Sequence, residues 1–64
     1  MNVNGQSVIV EAEISLKGFL EKEGYDPEKV AVEKNGLIVP KKTYESVILS
    51  GDDKLEIVSF VGGG

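Results

Sequence analysis

At 64 residues and 41% apolar side chains, the chain has room for one domain with one small core, near the lower limit for folding without cross-links. Asp and Glu number 11 against 7 Lys and Arg, so the net charge of -4 gives no phosphate counterion release and argues against nucleic acid as a partner. The absence of cysteine and histidine excludes disulfides, thiolate metal sites and the usual nucleophile–base arrangements.

The opening Met1-Asn2-Val3-Asn4-Gly5 has neither a basic segment nor an apolar run of the kind that targets a chain for export. No stretch approaches the roughly 20 apolar residues that span a bilayer. The expectation is a cytoplasmic protein with no membrane partner. Asn4-Gly5 is a strong hairpin signal, because both central residues of a type I′ turn need positive φ. It predicts a first strand at Met1–Val3 and a second over Gln6–Glu11. Met1, Val3, Val8 and Val10 should face the core, and Ile9 should lie on the other face or at a bulge.

Ser15 predicts a helix N-cap, with Ile14 and Phe19 at the spacing of a hydrophobic staple. Leu16, Phe19 and Leu20 form one apolar stripe, so a helix is expected from about Leu16 to Glu23, closed by Gly24 and Tyr25. Gly18 inside it costs about 1 kcal/mol relative to alanine. Asp26-Pro27-Glu28-Lys29 is a turn. Val30–Lys34 and Leu37–Val39 predict a second hairpin about Asn35-Gly36, ended by Pro40, which cannot donate to a ladder. Lys41–Ser46 fits one irregular helical turn carrying Tyr44, Val47–Leu49 a short extended segment, and Ser50–Asp53 a turn.

The final strand alternates. Leu55, Ile57, Ser59 and Val61 share one face, and Glu56, Val58 and Phe60 the other. With Leu55 and Ile57 under the helix, Val58 and Phe60 are left at least partly exposed, where they suit contact with a partner. The competing possibility is that the loop around Tyr44 covers them. The element order predicts an α+β fold, a mixed sheet of about five strands with one main helix on one face.

Carboxylate pairs at Glu11/Glu13 and Asp52/Asp53 are expected to be solvated surface groups, as charged side chains usually are. The glycines do not sit between a strand and a helix, so they form no phosphate loop. No metal site and no catalytic residue is expected, and the chain is not expected to be an enzyme by itself.

Gly62-Gly63-Gly64 adds nothing to a core, having no side chain to pack. Such an end can slide extended into a narrow active site and present an unhindered carboxyl group. The expected division is a domain over 1–61 and a flexible glycine tail over 62–64. Adenylated by a partner, the terminal carboxylate becomes an electrophile, and a sulfur donor can convert it to a thiocarboxylate.

The segments Val30-Ala31-Val32-Glu33-Lys34-Asn35-Gly36, Val39-Pro40, Gly51-Asp52 and Leu55-Glu56-Ile57-Val58, with the terminal Val61-Gly62-Gly63-Gly64, resemble the thiamine-biosynthesis sulfur carrier family over essentially the whole chain. Tyr44 stands where that family often has tryptophan. The resemblance implies a β-grasp, ubiquitin-like fold with the first and last strands side by side at the sheet centre. It implies an adenylyltransferase that uses ATP, a sulfur donor protein, and delivery of sulfur to thiazole synthase, with no cofactor held by the chain itself. By the resemblance Gly64 would be the modified residue and Gly63 the second glycine of the motif; from its position in the tail, Gly62 is expected to enter the partner's active site with Gly63 and Gly64. Two alternatives stay open: the small subunit of molybdopterin synthase, and a ubiquitin-like modifier or binding module without sulfur chemistry.

Overall fold

The computed structural model describes residues 1–10 and 12–60. Five strands form one sheet in the order β2-β1-β5-β3-β4: β1 is Asn2–Val3, β2 Gln6–Ser7, β3 Val30–Lys34, β4 Leu37–Ile38 and β5 Lys54–Ser59. β1 and β5 run parallel, pairing Val3 with Leu55, while the other neighbours are antiparallel. The first and last strands thus lie side by side in the middle of a mixed sheet, with one main helix, α1 (Leu16–Lys22), as its cover.

Both hairpins turn where the dipeptides placed them. Asn4 and Gly5 have φ of 51° and 86°, and Asn35 and Gly36 have 53° and 85°. The second strand is shorter than the Gln6–Glu11 expected. After Ser7 the chain keeps a reciprocal pair of bonds with Met1, Val8 N–H to Met1 O at 2.7 Å and the Met1 amino group to Val8 O at 2.9 Å, and then leaves to reach the helix. Val8 and Val10 still pack against the core, Ile9 points to solvent, and Glu11 lies outside the described residues.

Ser15 caps α1 by accepting from Gly18 N–H at 3.0 Å. That contact explains the helical glycine, since a Cβ on Gly18 would sit 3.2 Å from the Ser15 hydroxyl and 3.5 Å from Ile14 Cγ1. At the other end Gly24 adopts φ 88°, and the N–H groups of Gly24 and Tyr25 bond to the carbonyls of Glu21 and Leu20. This is the paired bonding of a Schellman cap, and it closes the helix one residue before the expected boundary.

The core lies between α1 and the sheet. Leu16, Phe19 and Leu20 meet Val3, Val30, Val32, Leu55 and Ile57, with Leu49 and Tyr44 closing one side. Each fully buried leucine or valine there is worth about 1.5–3 kcal/mol relative to exposure. Tyr44 is held on the 3₁₀ turn that follows Pro40, and its hydroxyl donates to Val30 O at 3.2 Å. Burial pushes its phenol above the ordinary value, against a smaller opposite effect from the Val32 backbone. Val39 N–H still bonds Val32 O at 2.9 Å, so the tyrosine takes over beside β3 where Pro40 ends the ladder.

Candidate partner-docking site

β5 is the element from which residues 61–64 continue, so what holds it determines where they start. Its lower end is fixed by a cluster around Asp53. Asn35 Nδ2 donates to Asp53 Oδ1 at 3.0 Å, Ser50 N–H to Oδ2 at 2.8 Å, and Lys34 Nζ lies 3.6 Å from Oδ1. The solvated-surface expectation for this residue is therefore corrected: Asp53 is 8% exposed and structural. Burial would raise its carboxyl, but the hydrogen bonds from Asn35 and Ser50 and the Lys34 charge together outweigh it and hold the group below the ordinary carboxylate value. Asp52 and Glu13, by contrast, are exposed, as expected.

Its upper end is fixed by Asn4. The Asn4 side chain accepts from Ile57 N–H at 2.8 Å and donates to Ile57 O at 3.1 Å. The backbone N–H of Asn4 bonds Leu55 O at 2.9 Å, so this one residue continues the β1–β5 ladder past the end of the β1 backbone. Asn35 does the equivalent at the other turn, accepting from Lys54 N–H at 2.9 Å and donating its own N–H to Lys54 O at 2.8 Å. The two Asn-Gly turns grip the same strand from its two sides, Asn35 at Lys54 and Asn4 at Ile57. The sequence showed the turns but not these side-chain bonds, for which the use of Asn rather than Gly or Asp in both turns was the available signal.

The outer sheet face presents the predicted contact residues. Val58 is 62% exposed and Phe60 40%, so the Tyr44 loop leaves both accessible. Ala31, paired with Val58, is also exposed, and beside this apolar strip the acids Glu33 and Glu56 stand directly opposite each other. Phe60 is steadied by its N–H to Lys29 O at 3.1 Å and by Lys41, whose Nζ lies 4.7 Å from the ring centre. Lys41 Nζ also donates to Glu28 O at 2.6 Å, which fixes the cation over the ring; sequence analysis did not single it out. Gly62, Gly63 and Gly64 lie outside the described residues, as does Val61.

Among the described residues the clefts are either small or open. Three clefts hold only ≈ 120, ≈ 160 and ≈ 70 Å³, below the several hundred usual for such ligands, and the fourth, ≈ 400 Å³, is an open groove along β4. Among the described residues no three acidic side chains gather as a metal site would require, and no helix is long and apolar enough to cross a membrane. What the surface offers is a flat apolar strip with acids beside it, at the end of the strand that leads to the glycines.

Comparison with known proteins agrees with this geometry. The model of the ThiS family matches residues 1–64. The chain belongs to the ThiS family. The resemblance to thiamine-biosynthesis sulfur carriers is thereby borne out. A crystal structure of the thiamine biosynthesis protein ThiS from Geobacter metallireducens superposes with a TM-score of 0.76 at 26% identity, over 98% of this chain and 96% of that one. The β-grasp expectation holds with it. Thiazole synthase of Magnetococcus marinus is 45% identical over 64 residues, 100% of this chain and 20% of its own length. An uncharacterized protein, ycf40, of Pyropia yezoensis is 36% identical over 100% of this chain and 90% of its own. The chain spans about a fifth of the length of the thiazole synthases it matches.

Proposed function

We propose that this ThiS-family chain is a sulfur carrier whose Gly64 carboxyl is the reacting group in thiazole formation for thiamine. The observation that carries the reading is the family match over all of residues 1–64, glycines included. The carboxylate oxygen attacks the α-phosphorus of ATP on an adenylyltransferase and expels pyrophosphate. A hydrosulfide equivalent from a sulfur donor protein then attacks the acyl carbon and expels AMP. One carboxyl oxygen leaves with AMP and sulfur takes its place, giving a thiocarboxylate that thiazole synthase consumes.

The chain needs no cofactor of its own in this scheme, since ATP belongs to the activating enzyme, and the cytoplasm supplies it. Residues 1–61 act as the grip and 62–64 as the end that enters each active site. Val58 and Phe60 form the contact strip. Thiazole synthases that carry a matching segment within one polypeptide support the pairing with that enzyme, because a fused carrier is held at high effective concentration. Incubation with the activating enzyme, ATP and the sulfur donor is expected to give the mass change of one oxygen replaced by sulfur, localised to Gly64. An unchanged mass with competent partners overturns the carrier reading, and a covalent lysine adduct in its place favours a modifier.

A further inference from the structure

The ladder bonds of β5 alternate strictly between its two neighbours. Asp53, Leu55 and Ile57 bond toward the β1 side, through Asn2 N–H at 3.0 Å, Asn4 N–H at 2.9 Å and the Asn4 side chain. Lys54 and Phe60 bond toward β3, through Asn35 N–H and Lys29 O. By that alternation the N–H and C=O of Ser59 face the β1 side. Yet β1 has already ended at Val3, the chain turns back through Asn4-Gly5, and no described strand lies beside Ser59. Ser59 faces Val30 across β3 without exchanging bonds with it, and its side chain is exposed. The middle strand of the sheet therefore becomes an open edge for its last residue.

On the carrier reading above, with Gly64 as the reacting residue, the length of chain beyond Phe60 decides what comes to this edge. Four residues follow Phe60, and fully extended they span at most about 14 Å. An active centre that lies most of that distance below an enzyme's surface can then be reached only if that surface closes against the end of β5. We propose that the enzyme handling the Gly64 carboxyl adds an extended backbone segment to the open β1 side of β5, pairing with Ser59 N–H and C=O where the Asn4 amide stops. Val58 and Phe60 give this contact its apolar area, and the strand addition gives it register.

Hydrogen exchange on the full chain, alone and bound to its activating enzyme, which is the one that takes the Gly64 carboxyl, tests the idea. The Ile57 amide, already bonded to Asn4, is expected to be slow in all states. The Ser59 amide is expected to exchange fast in the free chain and to slow at least tenfold in the complex. Replacing the Ser59 amide by an ester through chemical synthesis removes the N–H that the fold does not use. It also weakens the Val58 carbonyl as an acceptor toward Ala31, so it is expected to lower thermal stability slightly, while binding of the folded chain weakens about tenfold, which is about 1.4 kcal/mol, and Ser59→Ala binds normally. A complex that forms and yields thiocarboxylate with Ser59 still exchanging fast overturns the edge proposal and leaves the carrier function standing. Slow exchange of Ser59 in the free chain that fades on dilution assigns the edge to a second copy and overturns it too. Failure of any complex or mass change removes both readings together.

Discussion

Asn4 does two jobs that pull on different properties of the same residue. Its φ of 51° asks for a residue tolerant of the left-handed region, which glycine satisfies best, while its side chain makes both hydrogen bonds to Ile57. Asn4→Gly keeps the turn and deletes the grip. Two part-buried hydrogen bonds are lost, so stability is expected to fall by about 1–2 kcal/mol, read as a lower midpoint in urea with an unchanged slope. Asp53 makes a separate prediction through pH. Its folded carboxyl lies below the ordinary value of 3.8, so its contribution is present above that value and is lost as pH falls through the depressed folded value. Asp53→Asn is expected to be less stable than the parent at neutral pH by about 1–3 kcal/mol, since it puts an amide where Asn35, Ser50 N–H and Lys34 all require an acceptor. The gap should close below pH 3.8, and urea titrations at stepped pH would show whether the two curves converge.

The sheet shows which properties of an element can be taken from sequence. Strand alternation and two Asn-Gly turns placed β3, β4 and β5 and sorted Leu55 and Ile57 from Val58 and Phe60, because both signals act over a few residues. The burial of Asp53 depends on Asn35, 18 positions away, and the Asn4 grip on Ile57 spans 53 positions, so neither has a local signature. The open edge at Ser59 is a consequence of where β1 stops, which only the register of the assembled sheet reveals. The same register explains a local disadvantage. Glu33 and Glu56 are paired across β3 and β5, and like charges opposite each other destabilise a sheet by a few tenths of a kcal/mol. Exposed, they have no folding role that the structure displays, which suits a partner carrying basic groups. Glu33→Lys is therefore expected to stabilise the free chain by about 0.2–1 kcal/mol while weakening its binding to the activating enzyme, more so at low salt than at high. A variant that gains stability without losing affinity would free this acid pair from any part in docking.

On the carrier reading proposed above, folding and reactivity fall on different residues of the chain. Among the described residues, the buried apolar side chains that hold the structure run from Val3 to Ile57, and Leu20 is fully buried with them. Leu20→Ala is expected to cost about 2–5 kcal/mol, comparable with everything a domain of this size has to lose. It should abolish sulfur transfer simply by unfolding the chain. Deleting Gly64 is expected to do the opposite. The residue has no side chain to withdraw from the core, so the thermal midpoint should stay within about 1–2 °C of the parent, where each kcal/mol lost from so small a domain would move it by about 4–8 °C. Transfer should nevertheless be abolished, since removing one residue shifts the carboxyl back by about 3.4 Å, beyond the tolerance of a positioned nucleophile. Binding through Val58 and Phe60 should survive, so the shortened chain should compete with the parent for the activating enzyme and inhibit it. A truncated chain that melts early, or that no longer competes, would mean that the glycines help to hold the grip together and that the two roles are not separable.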